Sequence, residues 1–303
     1  QLSYNPLLMA LIWNSLATRK TRLLTSSMQK SFAIEQDCSW VNYVRCHDDI
    51  GWTFDDAVAH QLGINPYDHR YFLNQFFTGR FEGSYADGVP FAENPSNGDC
   101  RVCGSLASLC GLEGALQAND QQAIDTAMRR IMLVHGIIMS IGGIPLLYSG
   151  DELGLLNDYS YRDDPAKAHD DRWVNRIAVT SAHINDIEAA PSPTDSLERK
   201  TQKAIFAGIK QLINLRKEHA VFGQARTHIL HTSNQHCFVY CRVTDEGQKL
   251  LALCNFSEHP QTLQSNVLEV FDGKAATDLF SKKRIDKVSD IHLAPYQQYW
   301  LLG

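Results

Sequence analysis

"YVRCHDDIGW", residues 43–52, is the stretch on which the reading of this chain turns. A half-apolar run stops at two consecutive carboxylates, Asp48 and Asp49, beside His47. Residues 40–46, "WVNYVRC", are aromatic and β-branched, and they predict a strand that delivers the acidic pair to its carboxyl end. Taken alone, two carboxylates after a strand fit a helix cap or a turn as well as a site. The surrounding sequence has to decide.

Upstream, "PLLMALIWNSLATRK" (6–20) has Pro at its front and apolar residues at helical spacing, which predicts a helix with Trp13 and Leu16 facing a core. Downstream, from about 53 to 115, turn-formers separate short aromatic helical pieces, as in a loop-rich subdomain. Regular periodicity returns at 121–140, a helix ended by a Gly pair, and "IPLLYSGDELG" (144–154) then reads as a short buried strand followed by a loop. Residues 155–176 are rich in Asp and Asn and 189–197 in Pro, Ser and Thr, so both read as surface loops. A helix follows at 198–219. Beyond about 222 the pattern changes to short apolar–polar alternations such as "HCFVYCRVT" and "KLLALCNFS", the signature of an antiparallel all-β domain.

Helices alternating with strands, with charged residues just past the strand ends, indicate an α/β fold of the (β/α)8 TIM-barrel kind, whose sites lie on the loops after the strands. Such a barrel takes about 250 residues. Only about 222 precede the β domain here, roughly 60 of them in the loop-rich part, so the chain is expected to hold the carboxyl-terminal portion of a barrel. The expected segments are residues 1–52 (about strands six and seven), 53–115 (inserted subdomain), 116–222 (about strand eight and the closing helices) and 223–303 (a β-sandwich domain).

Charge and cysteine usage narrow the function. A net charge of −6, with no run of five Lys or Arg, argues against nucleic acid and anionic membrane as partners and favours neutral or small polar ligands. The eight cysteines show no repeated spacing, so a reducing cytoplasm is expected, with secretion left open because the chain starts at Gln1 rather than Met. The lone CxxC, Cys100 to Cys103, reads as two small buried residues near a turn. There is no GxGxxG, P-loop or EF-hand pattern, and the acidic stretch 157–171 lacks the alternating Asp spacing of a calcium loop, so neither cofactor nor metal is expected.

"NYVRCHDDIGWTF" (42–54), "PYDHRYFLNQFF" (66–77), "GVPFAENPSNGDCRVCG" (88–104), "GGIPLLYSGDELGLLND" (142–158), "DDRW" (170–173), "LLALCNFSEHPQTL" (250–263) and "PYQQYWL" (295–301) together resemble the alpha-amylase superfamily of glycoside hydrolases, and within it the amylosucrase and sucrose hydrolase subfamily. The resemblance implies glucosyl transfer from sucrose to an α-glucan by a retaining mechanism, with hydrolysis as the alternative. It makes Asp48 the stabiliser of the transition state and His47 a donor to the same glucosyl ring. Fixed negative charge suits a sugar whose anomeric centre becomes cationic as its bond breaks. Arg172 resembles the arginine that closes the bottom of the glucosyl pocket with an acidic partner from an early strand. Asp49, Arg70 and Arg101 resemble groups on the acceptor side, where guanidinium forks suit sugar hydroxyls, and Gly51 would let backbone approach ligand. Glu152 is implied to be structural.

The same resemblance places the nucleophile and the general acid/base after the fourth and fifth strands, whereas "QLSYNP" resembles the sixth. The local signature Arg-x-Asp occurs at Arg162–Asp164 and Arg284–Asp286, neither at a strand end of the barrel part. The chain alone is therefore expected to be inactive, and to need the other half of such a protein or self-association. A non-catalytic carbohydrate-binding or structural remnant is the remaining alternative.

Overall fold

A computed structural model describes every residue except 36, 224, 287 and 288. The chain forms two compact units, one of residues 1–42, 133–146 and 211–303, the other of residues 43–132 and 147–210. Each unit therefore draws on more than one of the four segments expected from sequence. Among the described residues no helix is long and apolar enough to cross a membrane.

In the first unit, Asn5 opens the helix Pro6–Thr18 by accepting from the Leu8 N–H at 3.1 Å, with Pro6 in the first turn where its missing N–H costs nothing. Leu8 through Ala17 are all buried, Trp13 and Leu16 among them, so this helix is enclosed on every side. The strands Leu2–Tyr4, Ser39–Asn42 and Ile144–Pro145 form a parallel sheet in that order, helices intervening, as successive strands of a barrel do. At its start Gly143 has φ +96°, and a Cβ there would come 2.4 Å from the Trp40 carbonyl oxygen. Only glycine fits so close to a neighbouring backbone.

Two strand expectations are corrected. The strand expected at 40–46 ends at Asn42, and Tyr43 to Arg45 continue buried but outside any ladder. The buried strand expected within 144–154 shrinks to Ile144–Pro145, after which the Leu146 N–H makes a last bond to the Asn42 carbonyl at 2.8 Å. Ile144 and Leu146 are 46% and 37% exposed, and Leu2 and Tyr4 65% and 64%, so the small sheet carries uncovered apolar side chains. The helices expected at 121–140 and 198–219 appear as Gln121–Ser140 and Leu197–Glu218.

The carboxyl-terminal part of the first unit is all-β, as expected. A six-stranded antiparallel sheet is centred on Cys237–Val243, Lys249–Asn255 and Gln298–Leu302, and a separate ladder pairs Gln261–Leu263 with Ile291–Leu293. Val239, Leu251, Leu253, Leu263, Leu293 and Leu301 share one core between them. The second unit holds the site. It contains the hairpin Val89–Phe91 with Arg101–Cys103, short helices, and the loop 155–176.

Candidate active site

Past Asn42 the chain enters a turn whose carbonyls two arginines hold. Arg45 lies buried with its Nε 2.8 Å from Asp151 Oδ1, its guanidinium over the Tyr148 ring at 4.4 Å, and its Nη1 donating to the Cys46 carbonyl at 3.1 Å. Arg176 donates from Nε to the next carbonyl, that of His47, at 2.9 Å. The side chains of His47 and Asp48 stand in solvent, 62% and 48% exposed.

Asp48 has two guanidiniums and an imidazole around it. Arg172 Nη1 is 3.4 Å and Arg176 Nη2 3.5 Å from its Oδ1, and His47 Nε2 is 3.3 Å from its Oδ2. Both arginines also reach Asp170, Arg172 as a fork at 2.8 and 3.0 Å and Arg176 at 3.7 Å. The Arg172 fork holds the Asp170 carboxyl below the usual carboxylate range, and Asp170 pushes the Arg172 guanidinium up. Thus Arg172 meets a carboxylate of its own loop, two residues away. Beneath these residues Val89, Cys103, Tyr161 and Val174 form a small core, and Arg172 lies over the Phe91 ring at 4.9 Å.

The acceptor-side candidates divide. Ile50 and Val102 exchange backbone hydrogen bonds at 2.7 and 3.1 Å, and this bridge sets Asp49 Oδ2 3.3 Å from Arg101 Nη1. Arg70 is not drawn to them: it donates to the carbonyls of Trp52 and Phe54 at 3.1 and 3.0 Å and pairs with Asp56 at 2.5 Å. A Cβ on Gly51 would meet nothing within 4 Å, so open space adjoins that backbone. Glu152 accepts from the Gly150 N–H at 2.9 Å, a local turn contact.

Arg176 and Asp170 were not among the residues singled out from sequence. Asp170 was visible inside the quoted "DDRW", and Arg176 follows Arg172 by four positions, a spacing that returns to the same side of a helical turn. Cys100 and Cys103 are buried, and burial pushes the Cys100 thiol up to about 11, so neither is a ready thiolate. The three side chains Cys46, His47 and Asp48 bring potential metal-ligating atoms within 4.8 Å of one another, where the sequence suggested no metal.

Residues 227–302 match the family model described as "Amylosucrase, C-terminal domain". Trehalose synthase of Thermus thermophilus is 25% identical over 167 residues, which cover 51% of this chain and 17% of that protein. Glucosylglycerate phosphorylase of Escherichia coli (strain K12) is 26% identical over 176 residues, 57% of this chain and 28% of that protein. These matches support the alpha-amylase superfamily. The chain's relatives are carbohydrate-active enzymes of that superfamily, and it spans less than a third of the length of these two. Among solved structures, AmyP in complex with maltose superposes with a TM-score of 0.58 at 13% identity, over 99% of this chain and 49% of that one, which shows a shared fold.

Proposed function

We propose that this chain supplies the glucosyl-binding loops of a retaining, amylosucrase-like enzyme that moves a glucosyl unit from sucrose to an α-glucan. The observation that carries this reading is a half-exposed Asp48 flanked by His47, Arg172 and Arg176 at 3.3 to 3.5 Å. As the bond to fructose breaks, positive charge develops at the anomeric carbon, and a carboxylate held in place by fixed donors stabilises it without having to reorganise. His47 donates to a ring hydroxyl, Arg172 closes the pocket, and Asp49 with Arg101 meets the acceptor.

A retaining reaction needs two further carboxylates about 5 Å apart. The neighbours of Asp48 do not provide them, since Asp170 is gripped by Arg172 and Asp49 is paired with Arg101. In this reading the nucleophile and the acid/base come from another polypeptide segment that completes the barrel, or from an assembly of copies. The exposed Leu2, Tyr4, Ile144 and Leu146 support such a covering partner. Because a catalytic triad acts as a unit, the chain alone then gives no turnover. Hydrolysis is the second reading, favoured by Arg70, whose contacts with two carbonyls and Asp56 leave it less to offer an acceptor. A cytoplasmic location fits cysteines that are all free.

The test pairs turnover with binding. The chain is incubated with sucrose while fructose and glucose are followed, and maltose is titrated into the same preparation and into Asp48→Asn. Maltose binding that weakens about tenfold or more in Asp48→Asn, without fructose release by the single chain, supports the reading. Maltose binding unchanged by Asp48→Asn refutes it, and steady fructose release by the single chain refutes the need for further carboxylates.

A further inference from the structure

The turn that presents Asp48 also gathers a softer set of donors. The Cys46 thiol, an imidazole nitrogen of His47 and a carboxylate oxygen of Asp48 lie within 4.8 Å of one another. His47 Nε2 and Asp48 Oδ2 stand 3.3 Å apart, close to the separation of two ligands that share one tetrahedral ion at about 2.0–2.2 Å from each. Three consecutive side chains do not ordinarily converge. Here they do because Arg45 holds the Cys46 carbonyl and Arg176 the His47 carbonyl, which fixes the turn. Sulfur, nitrogen and oxygen together suit a borderline-soft cation, whereas calcium and magnesium take oxygen alone.

We propose that Cys46, His47 and Asp48 form a three-ligand site for a divalent cation of the zinc class, with its fourth position open, and that an ion bound there excludes the glucosyl ligand. The site stands on its own geometry, and only the exclusion rests on the role given to Asp48 above. The ion takes Asp48 Oδ2, which faces His47, while Oδ1 stays with Arg172 and Arg176. Those two guanidiniums repel a cation, so the affinity falls short of that of a structural zinc site. Binding converts the Cys46 thiol to a metal thiolate and releases its proton to solvent, with no change of oxidation state.

Cobalt(II) is the probe, because a thiolate ligand gives it a near-ultraviolet charge-transfer band. The 303-residue chain is titrated with Co2+ alongside Cys46→Ala, Cys46→Ser, His47→Ala and Cys38→Ala, Cys38 being the other cysteine that is not buried. The expected result is a saturable band that Zn2+ abolishes, absent from both Cys46 variants, weakened about tenfold or more in His47→Ala and intact in Cys38→Ala. No band, or a band that survives in both Cys46 variants, overturns the site, and the two variants guard against misfolding of either one. Maltose is then titrated with and without Zn2+. A fall of about tenfold in apparent affinity is expected, and equal affinity overturns the exclusion while leaving the site. Failure of maltose to bind the metal-free chain counts against the glucosyl-pocket reading and overturns the exclusion with it, and the cobalt band still decides the site.

Discussion

Two carboxylate–guanidinium contacts frame the same turn, and burial gives them opposite roles. Arg45 and Asp151 are 2.8 Å apart with side chains only 3% and 1% exposed. Asp48 meets Arg172 and Arg176 at longer range, and its own side chain is 48% exposed. Away from water, the loss of one partner strands the other as an uncompensated charge. In water, a broken pair is rehydrated and little stability is lost. The first contact holds the turn in shape; the second leaves a carboxylate available to a ligand.

The comparison breaks most directly at Arg45. Arg45→Ala is expected to cost about 3–5 kcal/mol in urea unfolding, because Asp151 remains buried without its cation. Burial already raises the Asp151 carboxyl above its ordinary value in spite of Arg45, so the stranded group takes up a proton in the variant more readily still. A loss below about 1 kcal/mol would mean that water reaches the pair and that burial is not what separates the two contacts.

Asp48→Asn is the counterpart. It is expected to leave the urea midpoint where it is and to weaken maltose binding about tenfold or more, as seen by titration calorimetry. A variant that unfolds earlier in step with its loss of affinity would make Asp48 a structural residue like Asp151, and the distinction would collapse.

How much of this was legible in the sequence follows the same division. The helix at 6–18 could be read because Pro6 opens it and its apolar residues recur at helical spacing, and Trp13 and Leu16 are enclosed. Strand lengths could not: nothing local says that the ladder after Ser39 stops at Asn42, since that depends on where the neighbouring strand gives out at Pro145. Within the site, residue types in a resembling motif were enough to name Asp48 and Arg172. Their partners were not readable, because Arg176 reaches His47 over 129 residues and the Ile50–Val102 bridge that aligns Asp49 with Arg101 spans a hairpin whose register no single sequence reveals. Arg70 shows the limit from the other side, since the same residue type in the same motif is held by Asp56 and two carbonyls.

Acid and neutral pH should separate two other carboxylates in the same unit. Burial, with Asp87 adding to it, raises Glu113, whereas hydrogen bonding to Arg172 lowers Asp170. For a raised group the stability contributed is complete below the usual glutamate range and is lost as pH climbs through the folded value; for a lowered group it is complete above the usual aspartate range and is lost as pH falls through the folded value. Glu113→Gln should therefore flatten the decline on the neutral side of the stability–pH curve, and Asp170→Asn the decline on the acid side. Urea midpoints between pH 3 and pH 8 check both, and a Glu113→Gln curve parallel to the wild type's would show that Glu113 stays hydrated.

Arg101 bears a small stability effect, and its interest lies in how that effect compares with binding. Arg101 Nη1 is 3.3 Å from Asp49 Oδ2, with the arginine side chain 64% exposed and that of Asp49 9%, so Arg101→Ala removes a solvated cation and should change unfolding by about 1 kcal/mol. If the pair orients Asp49 toward an acceptor, the same variant should weaken a long maltooligosaccharide more than maltose, because only the longer ligand extends past the glucosyl pocket. Equal weakening of both would move Arg101 into the pocket beside Asp48. No weakening of either would leave the contact without a part in ligand binding, and burial of the arginine, 3% exposed in Arg45 against 64% in Arg101, would then be what separates the two pairs.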